Sequence, residues 1–445
     1  MTDALIHAAA VVTLDADDHV YRPGGVLVQD GRILRVAPLA AFGVANAPDI
    51  DLMDCIVMPG LVNAHTRTPM VLFRGLAEGH SLLTLEGWYD AIRTWELFLQ
   101  PDMVPPAVAV SCAEMIRTGT TCFADQYFFM DQIVPVVDRC GLRASLAYGI
   151  VELGDPIASA HGLAEAEEFL QGLQGHARLK AWIGPHAFFA DNRPETMAAE
   201  LKLADRFDAG MHIHLATSGE EDRICQRLYG RTAVQQMKLL GILERRLLAA
   251  HCLTISEHDF AVLAAAPFAA AIIPSSFTRS GASAPRIGAM RAAGVGTALG
   301  TDNVANNNSY DLFRDMGLLG KVASFLEHRP GAIPARDIVE MATSGGARAL
   351  GLENEIGSLE AGKRADLIAL DLNEVGWTPL AAQDVFTALV YSVSGMHVRE
   401  VMVDGRWLLR AGRFTTLDYP AARRELEDAH AELRERRAHG EQTKK

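Results

Sequence analysis

The sequence predicts an α/β protein: a (β/α)₈ barrel of the TIM type carrying a small composite β-sandwich formed by both chain ends. Three observations predict it. Eight short apolar runs rich in Val, Ile and Ala end near His65, Asp125, Tyr148, Gly184, Leu215, His251, Pro274 and Thr301. Amphipathic stretches such as Pro106–Arg117, Pro194–Phe207 and Glu257–Ala265 alternate with them. Eight strands, each followed by a helix, is the count of a closed barrel, whose strands are covered on both faces and therefore read as continuously apolar. Such a barrel takes ~250 residues, and a chain of 445 leaves room for one smaller domain. No Gly-rich dinucleotide turn follows any run, which argues against an open doubly wound sheet.

Both ends have a different texture. Short alternating runs (Val11–Leu14, Gly25–Val28, Ile33–Val36) precede the barrel, and others (Asp366–Leu370, Val401–Val403, Arg406–Leu409) follow it. Turn pairs at Asp404-Gly405 and Ala411-Gly412 separate the later ones. Residues 1–57 and 355–420 are therefore expected to pair into one β-sandwich around a barrel of residues 58–354. Residues 421–445 read as a charged surface helix, Ala421–Ala438, and a tail.

Apolar residues make up 49% and charged residues 22%, as in ordinary globular chains. The net charge of −14 opposes broad nucleic-acid or anionic-membrane binding. The longest apolar run, Phe260 to Ile273, is interrupted by Pro267 and is too short to span a bilayer. Six cysteines are scattered without a CxxC pair, and Met1–Ala10 has no basic region or cleavage site. A cytoplasmic protein with reduced thiols is the expectation.

In a barrel the reacting groups sit where strands end. Several runs end in polar residues that a packed interior does not need: Asn63-Ala64-His65-Thr66-Arg67, Pro185-His186, His212-Ile213-His214, Ala250-His251 and Thr301-Asp302-Asn303. Residues i and i+2 of a strand share a face, so His65 and Arg67 are expected at the barrel mouth together. His214, His251 and Asp302 reach it from other strands. Imidazoles and a carboxylate around an open centre form a site for one divalent metal with a position left for water. Any one buried histidine is more often an ordinary core residue; four such residues at four strand ends point to a shared site.

With these residues in place, the chain resembles the amidohydrolase superfamily. The resemblance is to the branch of S-adenosylhomocysteine/methylthioadenosine deaminase, guanine deaminase and atrazine chlorohydrolase. It runs through MPGLVNAHTRTPM (58–70), GTTCFADQYFFMD (119–131), GPHA (184–187), HIHLATS (212–218), AAHC (249–252), PSSFTRSG (274–281), GTDNVANNN (300–308) and GSLEAGKRADLIALD (357–371). It implies the same barrel and composite sandwich, one zinc or iron ion, and metal ligands His65, His214 and Asp302. It further implies that His251 positions water or substrate and that His186 contacts a heterocycle.

The departures fall in the site. Arg67 stands where the branch has the second histidine of an HxH, and Thr217 where it has a proton-shuttling glutamate. Thr254 replaces a histidine, and Phe277 the asparagine of a PSSN motif. Arginine has no lone pair to donate, and unit charges ~4 Å apart interact by ~4 kcal/mol at an effective dielectric of 20. Metal binding is therefore weakened. Threonine cannot change charge near neutral pH, so the branch's proton transfer cannot run unmodified.

The expected function is hydrolysis of a C–N (or C–halogen) bond of a small nitrogen heterocycle, with Asp302, His251 and Arg67 as catalytic residues. His186, Arg67, Trp88 and Phe277 are expected to bind substrate, Arg67 by gripping an anionic group. Phe188, Phe189 and Trp95 are either further ring contacts or core. The alternative is a metal-poor barrel running a cyclisation, elimination or isomerisation, or a relative that binds without turnover. A homodimer is compatible with the resemblance.

Overall fold

Eight parallel strands follow one another around the barrel in sequence order: Leu61–Thr66, Thr120–Tyr127, Arg143–Ile150, Leu179–Pro185, Met211–Leu215, Leu247–His251, Phe268–Ile272 and Gly296–Leu299. The structure is a computed structural model and describes residues 2–43, 47–190, 192–379 and 384–442. Each strand lies buried almost throughout, and alanines pack several of them closely, as in Leu247-Leu-Ala-Ala-His and Phe268-Ala-Ala-Ala-Ile. That composition suits strands covered on both faces.

The outer helices include Val104–Arg117, Met130–Cys140, Pro156–Gly172, Pro194–Phe207, Glu220–Tyr229 and Leu312–Leu326. Asp155 caps one of them by accepting from the Ile157 and Ala158 N–H groups (2.9 and 3.3 Å), with Pro156 at the first helical position. The stretch read as helix over Glu257–Ala265 is a 3₁₀ turn, Glu257–Asp259, continued by Phe260–Ala264.

The junction between the eighth and first strands is made by side chains as well as backbone. Asn63 Nδ2 donates to Thr301 Oγ1 (2.7 Å), and Thr301 N–H returns a bond to Asn63 Oδ1 (3.1 Å). The N–H groups of Thr301 and Asp302 donate to the His65 carbonyl (3.3 and 2.9 Å). A Cβ on Gly300 would lie 2.9 Å from the His65 nitrogen, so this close approach requires glycine. The junction therefore fixes His65 and Asp302 side by side.

Both chain ends meet in one nine-stranded mixed sheet. Ala4–Val12 pairs antiparallel with Gly24–Gln29 and parallel with Asp49–Pro59. Asp49–Pro59 in turn pairs antiparallel with Leu367–Asp371, joining the two ends of the sequence. One face buries Ile6, Val26, Val28, Val57, Leu367 and Met402 in a core of its own. The other contributes Val12, Met58, Ile368 and Val401 to the large core shared with the barrel. The last helix, Tyr419–Gln442, lies against the barrel, where His430 Nδ1 is 2.8 Å from the Leu72 carbonyl. No helix among the described residues is long and apolar enough to cross a membrane.

Candidate active site

The strand-end residues expected at the barrel mouth do converge there. A pocket is lined by Arg67, Trp88, His186, His214, Thr217, Glu221, His251 and Asp302, among others, with Leu82, Leu83, Thr84 and Leu85 forming part of its wall. Its free volume is only about 60 Å³, room for a few waters, whereas ligand pockets typically measure ~300–1,000 Å³. Larger clefts of about 610 and 790 Å³ open at the other end of the barrel, beside the strand starts at Phe268, Gly296 and Lys180. They contain no histidine, and the rim of a barrel where chemistry is done is the opposite one.

His65, His214 and His251 bring one ring nitrogen each to within 4.8 Å of one another. Hydrogen bonds elsewhere on the rings set this orientation. His65 Nδ1 lies 2.7 Å from His212 Nε2, and His214 Nδ1 lies 2.9 Å from the His186 carbonyl. The buried His65 Nε2 is left without a hydrogen-bond partner, 3.4 Å from Asp302 Oδ1. His251 Nδ1 is equally orphaned. His251 and Asp302 both hold positive φ angles (77° and 61°), a backbone uncommon outside glycine and one concentrated at functional sites.

Burial pushes His212 and His214 well below the usual imidazole range, and the neighbouring histidines and the Arg67 charge push the same way. Burial likewise lowers His251 to about 4, against the opposing pull of the Asp302 charge. These imidazoles are therefore neutral at pH 7, the form that donates a lone pair. Burial works against ionisation of Asp302, yet the His65 and His251 rings beside it and the Asn306 amide hold its carboxyl far below the usual carboxylate range. Its oxygens also accept from Asn303 N–H (2.6 Å), Asn303 Nδ2 (2.8 Å), Asn306 Nδ2 (2.8 Å) and Ser276 Oγ (3.2 Å). The donor set fits a divalent cation: three inward imidazoles, two of them with an orphaned nitrogen, and an ionised carboxylate. Among the described residues, the group with ligand atoms close enough is His65, His214 and His251, with Asp302 beside His65.

Arg67 follows the first strand directly and is nearly buried (5% exposed). Its guanidinium lies 5.4 Å from the centre of the Tyr127 ring, and Nε has no hydrogen-bond partner. Tyr127 donates to Glu96 Oε1 (2.8 Å). Behind this pair Asp125, its carboxyl raised by burial, accepts from Thr66 Oγ1 (2.7 Å), Thr68 N–H (2.8 Å) and Thr68 Oγ1 (2.6 Å). Trp88 and His186 form an aromatic wall, ring centres 5.1 Å apart.

Phe277 is a correction. The seventh strand stops at Ile272 and the chain turns at Pro274 into a short helix, Pro274–Arg279, that carries Phe277 into the core (2% exposed) and away from the pocket lining. Phe188 is also core, with Phe189 and Trp95 packed partly buried against it. Three residues went unassigned in the sequence reading. His212 shares a strand face with His214, a signal available from period two alone. Asn306 lies four residues beyond Asp302 and holds its second oxygen. Glu221 carries a nearly buried carboxylate (2% exposed) into the pocket wall from the first turn of Glu220–Tyr229.

A parallel (β/α)₈ barrel with neutral imidazoles and an ionised aspartate at its mouth defines a hydrolase-type metal barrel. The chain belongs to the amidohydrolase family, whose pattern matches residues 56–408. It is 36% identical over 438 residues to 5'-deoxyadenosine deaminase of Methanosarcina mazei, covering 97% of this chain and 99% of that one. It is also 36% identical over 432 residues to 5-methylthioadenosine/S-adenosylhomocysteine deaminase of Nitratidesulfovibrio vulgaris, covering 96% of each. Among solved structures, a zinc-bound adenosine deaminase from Xanthomonas campestris superposes with a TM-score of 0.91 at 28% identity, over 97% of this chain and 99% of that one. Zinc-bound atrazine chlorohydrolase from Arthrobacter aurescens, at 22% identity and a TM-score of 0.85 over 97% of this chain and 100% of that one, shares the fold.

Proposed function

We propose that this chain is a hydrolytic deaminase of a 6-aminopurine nucleoside of the adenosine type, working with one zinc or iron ion. The observation that carries the reading is the inward imidazole cluster beside Asp302, in a chain that aligns end to end with adenosine-type deaminases. His65, His214 and Asp302 would hold the ion, with His251 beside them. When bound, such a cation supplies Lewis acidity that makes water a nucleophile near neutral pH.

The chain's own residues do the rest. Asp302, ionised at working pH, offsets positive charge at the mouth and is fixed in place by Asn303, Asn306 and Ser276. His251 orients the reacting groups from the sixth strand. Trp88 and His186 offer faces on which a purine stacks. Leu82, Leu83 and Trp88 in the pocket wall keep bulk water from the ring. Arg67 is the donor for an electron-rich or anionic part of the substrate.

The test is ammonia release from 5'-deoxyadenosine, 5'-methylthioadenosine, S-adenosylhomocysteine and adenosine, with metal content measured on the same preparation. Turnover of at least one of these by protein holding close to one equivalent of zinc or iron is the expected result. Release from none of them would overturn the reading. Arg67 in the position of a ligand histidine favours a second reading, the metal-poor non-hydrolytic barrel. Full consumption of a substrate without ammonia release, by protein lacking metal, would establish that one instead.

A further inference from the structure

Thr217 leaves the proposed reaction without its expected proton carrier. Thr217 itself lines the pocket, so the vacancy is real in space as well as in sequence. Four residues on, Glu221 lines the same pocket. The chain leaves the fifth strand at Leu215, bends through Ala216 and Gly219 (φ 53° and 75°), and enters the helix Glu220–Tyr229. This tight return brings the first helical turn back over the barrel mouth. Glu221 is 2% exposed, and its Oε2 has no hydrogen-bond partner. The backbone at Glu221 itself and at Ala216 hydrogen-bonds to the carboxyl, as at a helix start, but leaves Oε2 unsatisfied. An unpartnered carboxylate oxygen in a pocket wall is a group waiting for a ligand.

Resting on the deaminase reading above, we propose that Glu221 is the proton carrier of the reaction, standing in for the carboxylate missing at Thr217. As the water oxygen bonds to the amino-bearing ring carbon, one of its protons passes to the Glu221 carboxylate and on to the adjacent ring nitrogen, which takes up the displaced π electrons. The second proton of the same water then passes to the amino nitrogen as the C–N bond breaks. Ammonia leaves, the water oxygen remains as the ring carbonyl, and Glu221 ends ionised as it began. Burial raises the Glu221 carboxyl to about 8, so both protonation states are accessible near neutrality.

The experiment measures ammonia release, KM and zinc content for zinc-loaded wild type, Glu221→Gln and the double variant Thr217→Glu/Glu221→Gln on the best substrate found. A general acid–base group contributes ~10²–10⁴-fold. Glu221→Gln is expected to lose at least about 100-fold in kcat while KM and zinc content stay near wild type. Returning a carboxylate at position 217 is expected to restore at least about tenfold of that loss. If the amide variant does not fold, Glu221→Ala with added formate, a diffusible carboxylate, takes its place, and formate-dependent recovery is expected. Wild-type-like kcat in Glu221→Gln would overturn the assignment. So would a loss that neither the relocated carboxylate nor formate repairs, since that is the signature of a structural role. A wild type that releases ammonia from no aminopurine would overturn the functional reading itself, which the first two failures leave standing.

Discussion

Two buried charged clusters sit at opposite ends of the barrel, and they are built on opposite plans. At the strand-start end, Arg143 (2% exposed) gives Nε to Asp366 Oδ2 (2.9 Å) and Nη2 to Asp366 Oδ1 (3.2 Å) and Asp404 Oδ1 (3.4 Å). Asp404 N–H closes the ring onto Asp366 Oδ1 (2.8 Å). The Arg143 side chain has no orphaned atom and clamps the end sheet to the barrel. At the mouth, His65 Nε2, Arg67 Nε, His251 Nδ1 and Glu221 Oε2 are all buried and all orphaned. Burying a polar group without a partner costs ~1–3 kcal/mol, and a chain that does so four times in one place keeps those atoms for something else. A satisfied buried charge is architecture; an unsatisfied cluster is a site.

The strongest way to break that contrast is Asp302→Asn. It preserves shape and most acceptor geometry but removes the charge that His65 and His251 face. Loss of at least about 10³-fold in ammonia release, with a small change in thermal midpoint, is expected when a carboxylate beside the reacting centre is neutralised. Wild-type turnover in this variant would remove Asp302 from the mechanism. Arg143→Ala tests the other end. It strands Asp366 as a buried unpaired carboxylate, and breaking such a pair costs ~3–5 kcal/mol. A marked fall in thermal midpoint with kcat/KM of the folded fraction unchanged is the expected outcome. A selective loss of activity would show that the two clusters are coupled.

What the sequence made legible follows the same division. Polar residues at the ends of apolar runs stand out because a packed barrel has no use for them, so His65, His186, His214, His251 and Asp302 could all be placed at the mouth. The composite sheet was legible as two β-rich ends, since alternation is a local pattern. The parallel register of Ala4–Val12 on Asp49–Pro59 was not, because it depends on pairing across a long loop. Phe277 was misplaced because Pro274 turns the strand into a helix, and the direction of a side chain after such a turn is set by tertiary packing. Glu221 was missed for the same reason. It lies beyond the strand, on a helix whose fold-back over the mouth has no sequence period to announce it.

Arg67→His is a smaller and sharper test. Arg67 carries a charge that lowers the pKa of His212, His214 and His251, and a cation at the mouth would feel the same field. Replacing it with a neutral lone-pair donor is expected to tighten zinc affinity by at least about tenfold, equivalent to ~1.4 kcal/mol, measured by competition with a chelating dye. Unchanged affinity would show that Arg67 is directed away from the metal position.

Asp315 lies between the two plans and gives the smallest expected effect. It is buried on the helix Leu312–Leu326, and one oxygen, Oδ1, accepts from Ser275 N–H (2.9 Å). Burial raises its carboxyl from 3.8 to about 7, and the Ser275 bonds recover part of that shift. Between these two values the folded chain binds more protons than the unfolded one, so the Asp315 contribution to stability falls as pH rises from about 4 to about 7. Above that window both states are ionised and the full penalty of the buried charge remains. Each pKa unit is worth ~1.4 kcal/mol. Asn keeps the accepting oxygen and removes the charge, while its new N–H groups need partners and take back part of the gain. Asp315→Asn is therefore expected to stabilise the protein by about 2 kcal/mol at pH 8 and to destabilise it by about 2 kcal/mol at pH 4, where the charge penalty is absent and the cost of the new N–H groups remains. The measurement is the difference in thermal midpoint between wild type and variant across that range. A difference independent of pH would show that Asp315 belongs with the satisfied charges of the Arg143 cluster.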